Sequence, residues 1–203
     1  EYMADDELED DEEPIEEIPV HGVLAPEGVE TGDGRGFREG ALSSRPLPYP
    51  LRLETVGSHG GNNTSEVVTV GRIDEAWRDE ATKQWRYRGA VILSKPGAAA
   101  AIQGIIDGSG RGVSIDADAM AVDMEGFTEE ALAAAEAAGK NATTWFSEAR
   151  IAGLTIVPIP AFHEAYIALG HEFEEDMTEE ALAAAAAVLE DCGCAPTALE
   201  LEK

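Results

Sequence analysis

Gly110-Arg111-Gly112-Val113-Ser114-Ile115-Asp116 is the stretch on which the reading of this chain turns. Upstream of it, Pro96 suits the first turn of a helix, residues 98–106 supply strong helix formers, and Gly108 ends the run. Ile102, Ile105 and Ile106 give that helix one apolar face. The heptapeptide itself leaves as a strand. It carries one small hydroxyl between two branched apolar residues, flanked by glycines that let another backbone come close. Ser114 is therefore the candidate nucleophile, and a helix running directly into its strand is the local architecture.

Working outward, residues 18–24 read as a first strand, and Ala25-Pro26-Glu27-Gly28 turns out of it. Thr31-Gly32-Asp33-Gly34-Arg35-Gly36 reads as a glycine-rich surface loop, because it lacks the Gly-Lys-Ser/Thr end of a phosphate-binding loop and no strand leads into it. Residues 40–42 suggest a short helical turn. The prolines at 46, 48 and 50 force the chain to stay extended before a strand over residues 51–56. Residues 57–64, Gly-Ser-His-Gly-Gly-Asn-Asn-Thr, form a loop with His59 at its base, and residues 66–73 return as a strand.

Residues 75–78 lead to a polar turn at 79–83, after which Trp85-Arg86-Tyr87-Arg88 alternates with the period of two of a half-wet strand and turns apolar through Leu93. Thr128-Glu129-Glu130 announces a second helix, with a capping hydroxyl and two acids in the first turn, stopped near Gly139. The octapeptide Thr-Glu-Glu-Ala-Leu-Ala-Ala-Ala begins at Thr128 and again at Thr178, one cap-and-helix solution used twice rather than a domain repeat. Residues 145–157 are a long β-like stretch, 158–162 continue extended, and 163–169 close the domain. Many strands with two or three helices predict an α+β domain, a closed or nearly closed β-barrel with helices packed outside; an open sandwich is the alternative.

The formal net charge of -27 is unevenly spread. Residues 1–20 hold eleven acids and no Lys or Arg, and residues 171–203 hold ten acids against Lys203, which leaves residues 21–170 a net of only -7. Residues 1–17 are expected to be a disordered acidic tail, and residues 171–203 a peripheral Ala-rich helix and tail. Such acidity argues against nucleic acid or an anionic membrane as partner and leaves a basic protein surface open. No apolar run approaches the roughly 18 residues that span a bilayer, and the amino terminus is acidic where a signal peptide would be basic. Cys192 and Cys194 are the two cysteines; even with His171 they fall short of a four-ligand metal site, so neither metal nor cofactor is expected.

His59, Ser114 and an acid would suffice for nucleophilic catalysis, the imidazole taking the hydroxyl proton while the serine attacks a carbonyl. Asp116 projects from the same strand face as Ser114, roughly 6.5 to 7 Å away, so an imidazole fits between them. Asp116 and Asp118 equally suit the solvent face of an alternating strand. The pentapeptide Gly-x-Ser-x-Asp is not the Gly-x-Ser-x-Gly elbow of the α/β-hydrolases.

Six segments come in an order that resembles the tailed-phage prohead proteases, or capsid maturation proteases. They are Gly22-Val23-Leu24-Ala25-Pro26-Glu27-Gly28, Thr31-Gly32-Asp33-Gly34-Arg35, Leu47-Pro48-Tyr49-Pro50-Leu51, Val70-Gly71-Arg72-Ile73-Asp74, Gly112-Val113-Ser114-Ile115-Asp116, and the run from Ala149 to Phe162. The resemblance covers about residues 18–170, which it makes the protease domain. It implies a serine endopeptidase related in fold to the herpesvirus assemblins, with Ser114 as nucleophile and His59 as base. The enzyme would act in the host cytoplasm, inside the assembling procapsid, on the major capsid protein or a scaffolding protein and on itself, and a homodimer is the implied oligomer. Related proteases carry the third catalytic member in the strand matching residues 149–157, where the best match here is Gly153. Asp116, or Glu148 as the alternative, would have to substitute. No arginine follows Pro158 to assist the oxyanion, which leaves Arg111, Arg150 or backbone amides. The competing reading is a catalytically silent capsid-assembly scaffold protein of the same fold.

Overall fold

A computed structural model describes residues 16–54, 67–123, 128–137, 139 and 143–170. Where hydrophobic letters alternate, the chain forms strands that turn one row of side chains inward. In β1 (Glu17–Pro26) Ile18, Val20 and Leu24 are buried, and in β6 (Gln84–Ile92) Trp85, Tyr87 and Val91 go in while Arg86 and Arg88 stay at the surface. Between them in the chain lie β2 (Arg35–Phe37), β3 (Leu42–Ser44), β4 (Tyr49–Glu54) and β5 (Val67–Asp79). After β6 come α1 (Ala98–Asp107), β7 (Gly112–Val122), α2 (Glu129–Ala137), β8 (Thr144–Val157) and β9 (Tyr166–Leu169).

Seven of these strands close into a barrel in the order β8-β4-β5-β6-β1-β9-β7, with β7 pairing back onto β8. The fold is thus α+β, mostly strand, with few helices, as the alternation predicted. The 14-residue β8 organises it. One of its edges pairs antiparallel with β7, and the other accepts β2, β3 and β4 in succession, all parallel, at Thr144, Ala149 and Leu154. The short β9 closes the ring between β1 and β7. Its Tyr166 carbonyl accepts the Tyr87 hydroxyl at 3.1 Å, and burial pushes the Tyr87 phenol well above its ordinary pKa.

The helix before Ser114 sits close to its expected place. Gly97 and Gly108, at φ 85° and 83°, bound α1, and Ala98, Ala101, Ile102 and Ile105 bury themselves in the barrel core. Three expectations need correction. The helical turn at residues 40–42 does not form: Leu42 opens β3, because the buried Glu27 carboxylate takes the Gly40 and Leu42 amides at 2.9 and 3.0 Å and β8 takes the strand. The glycine-rich loop runs into a strand at Arg35. Residues 75–78 extend β5 rather than leaving it.

Candidate active site

Ser114 stands opposite Thr155 in the β7–β8 ladder, with Gly112 opposite Val157 and Asp116 opposite Gly153. Gly112 is a glycine for a local reason. A Cβ there would lie 2.5 Å from Pro160 Cδ, so its absence lets residues 158–162 fold down beside the serine. Ser114 is half-buried, and among the described residues its hydroxyl has no hydrogen-bond partner. The other polar side chains on its strand are engaged. Asp116 accepts from Arg52 Nη1 at 2.9 Å and from the Thr155 hydroxyl at 3.1 Å; Asp118 accepts from Arg150 Nε at 2.8 Å and also pairs with Arg45.

Gly153 makes the Asp116 arrangement possible. With no side chain between them, Arg52 on β4 reaches over β8 to the carboxylate on β7; a Cβ at 153 would stand 3.1 Å from Asp116 Oδ2 and 3.2 Å from the Pro50 carbonyl oxygen. An ionised carboxylate offers about four acceptor positions. Arg52 and Thr155 leave room on Oδ1 for one donor more.

Two cavities meet at Ser114. One of about 90 Å³ is walled by Leu24, Phe37, Ile115, Phe146 and Phe162. Its aromatic wall is continuous, with Phe37 5.7 Å from Phe162 and 5.8 Å from Phe146, ring centre to ring centre. The other, about 420 Å³ and open to solvent, is walled by Asp33, Arg35, Val157, Pro160 and His163. Arg35 borders both cavities. Its Nε donates to Asp33 Oδ2 at 2.9 Å, and the Thr31 side-chain oxygen accepts the Arg35 amide at 2.9 Å. Arg35, and next the Thr31 hydroxyl, hold the Asp33 carboxyl below the usual carboxylate range.

The sequence-derived candidates are thus partly assembled. Ser114 and Asp116 share the outer face of β7. His59 lies outside the described residues, as do His171, Cys192 and Cys194. Glu148 is not brought to Ser114: it is exposed and pairs in register with Ala121, seven residues along β7 from Ser114, which is about 20 Å at the rise of a strand. Arg111 and Arg150 are also spent elsewhere, the first on the Ile105 carbonyl at 3.0 Å and the second on Asp118. Arg35, Asp33 and His163 are the site residues that sequence reasoning missed. Their signal was the glycine-rich loop and the proline-rich segment after β8, both visible as letters but without a position relative to Ser114.

Among the described residues, no group of three or more His, Cys, Asp or Glu side chains is gathered as a metal ion would require. No helix among them is long and apolar enough to cross a membrane. Compared with known proteins, the chain matches no family model and no curated protein sequence.

Proposed function

We propose that this chain is a serine endopeptidase of phage capsid maturation, with Ser114 as its nucleophile. The observation that carries the reading is an uncommitted hydroxyl on a rigid barrel strand, flanked by two cavities, while its neighbours Asp116 and Asp118 are all engaged. A closed barrel with few helices is also what relatedness to the herpesvirus assemblins calls for.

In the proposed reaction Ser114 Oγ attacks the scissile carbonyl carbon while His59 takes the hydroxyl proton. The imidazolium then protonates the leaving amine, the C–N bond breaks, and water hydrolyses the acyl-serine by the same relay. The anchors of the segment that carries His59 favour this pairing. Leu53 of β4 lies beside Ile156 of β8, which pairs with Val113 of β7, so the described end of β4 at Glu54 lies close to the rim on which Ser114 stands. Two strand spacings separate β4 from β7, about 10 Å, and the five residues from Glu54 to His59 reach up to about 17 Å. Asp116 orients the imidazole through its spare Oδ1 position, and backbone amides hold the oxyanion. The major capsid protein and a scaffolding protein are the proposed substrates, inside the procapsid, with the enzyme working as a homodimer.

The test is intact-mass spectrometry of the full chain, alone and with its phage's unprocessed capsid protein, for wild type and Ser114→Ala. Discrete fragments are expected from wild type, and turnover should fall by about four to six orders of magnitude in the variant. The base must be neutral, so cleavage should also fall at acidic pH. The net charge of -27 favours one alternative, a silent scaffold that binds basic inward-facing segments of the shell. Intact masses for both chains, with capsid protein still bound, would select it.

A further inference from the structure

The 90 Å³ cavity beside Ser114 is bounded on one side by Val113 and Ile115, residues of β7 whose strand is half unpaired. Along one edge β7 is laddered to β8, but along the other β9 meets it at Gly112 alone. The Arg111 carbonyl points to that second edge, where it accepts the Ile167 amide at 2.9 Å. Backbone groups alternate in direction along a strand. The backbone groups of Ile115 therefore face the same way, past the end of β9, where no strand lies among the described residues. An extended peptide is the ligand that satisfies such an edge.

We infer that this cavity is the primary specificity pocket of the proposed endopeptidase, taking one aliphatic side chain of a peptide that lies along the free edge of β7. The inference rests on the reading of Ser114 as a nucleophile and adds the substrate class to it. The size selects the side chain. At about 90 Å³ the cavity is smaller than the roughly 150 Å³ cavity that takes up a benzene ring, so it suits the branched end of Val, Leu or Ile better than an indole. The chemistry selects it too. Leu24, Phe37, Ile115, Phe146 and Phe162 offer a charged or amide side chain no partner, and the polar side chains of Thr31 and Arg35 that also line the cavity are already engaged with Asp33, so a polar residue would lose its water with little compensation. Arg35, which lines both cavities, joins this pocket to the larger trough.

The experiment incubates the full chain with a proteome-derived peptide library and reads the cut sites by mass spectrometry, while a fluorophosphonate probe reports Ser114 independently. Val, Leu, Ile or Met should be enriched about tenfold or more over charged residues at one position beside the cut, since a methylene in such a pocket is worth about 10- to 200-fold. Ile115→Ala, at a half-buried position, should shift the preference towards Phe and larger side chains, and Ile115→Phe towards Ala and Gly. Phe162→Leu provides a second enlargement should an Ile115 variant melt early. A labelled Ser114 with a flat or charged preference, or a folded Ile115→Ala with an unchanged profile, overturns the pocket while leaving the nucleophile. An unlabelled Ser114 with no cut peptides overturns both.

Discussion

Asp33 receives Arg35 Nε at 2.9 Å and the Thr31 hydroxyl, and the same Thr31 oxygen receives the Arg35 amide. Because these donors favour the ionised form, the folded pKa of Asp33 lies below its unfolded value. The stabilisation is then present above about pH 4, the unfolded carboxyl range, and is lost as pH falls through the lower folded value. Asp33 is half exposed, so this is a local effect rather than a large share of the folding free energy. Exchange protection of the Arg35 amide, corrected for the intrinsic rate at each pH, should be flat from about pH 7 to 5 and decline below about pH 4; Asp33→Asn should remove the decline. Protection that persists unchanged to pH 2 would show the loop to be held by Thr31 and the backbone alone. At this scale Ser114 was legible because a small hydroxyl between branched apolar residues is an unusual strand letter. Arg35 was not, since a cation in a glycine-rich loop reads the same whether it faces open water or the wall of a cleft.

β8 shows how an element can be obvious while its pairing is hidden. Its alternating and then continuous apolar run from Thr144 to Val157 declared a strand, yet nothing local announced that three separate strands would share one edge. β2 and β3, at three residues each, have too little length for periodicity and exist because β8 offers the ladder. The glycines tell the same story. Gly153 reads as a weak point in a strand, but its missing side chain is what lets Arg52 reach Asp116. Gly153→Ala should crowd that carboxylate at 3.1 Å and the Pro50 carbonyl at 3.2 Å. We expect turnover of the capsid substrate to fall by about 10- to 100-fold, with a cost in urea unfolding of no more than about 1–2 kcal/mol. Equal losses of activity and stability would instead make Gly153 a packing residue. Gly22→Ala contrasts with it. Its Cβ would lie 1.9 Å from the Tyr166 carbonyl oxygen, a backbone atom that cannot step aside, so about 2 kcal/mol or more should be lost wherever Ser114 stands.

Closure of the whole barrel depends on its shortest ring strand. β9 supplies four residues, pairs Val20 to Val23 of β1 on one side and Gly112 of β7 on the other, and buries Ile167 to 1% exposure. Most other ring pairings join neighbours in the chain or belong to the long β8; this one brings the last described strand against the first, so it carries the largest loop-closure cost and the least ladder to offset it. That is why a barrel could be inferred from the count of strands while its closure could not. Ile167→Asp places a carboxylate against the apolar core, with no buried cation among the described residues to pair it. Burying it unpaired costs several kcal/mol against a total of about 5–15 for a domain of this kind. The expected outcome is an opened seam: β1 and β7 present free edges, and the purified variant elutes as soluble aggregates with strand-rich circular dichroism but no cooperative melt. Ile167→Val, which keeps the strand and removes one methylene, should stay monodisperse and lose only about 0.5–1.5 kcal/mol. A monodisperse Ile167→Asp with a sharp melt would mean that the ring is held by β7, β8 and α1 without its closing strand, and that Ser114 owes its rigidity to β8 alone.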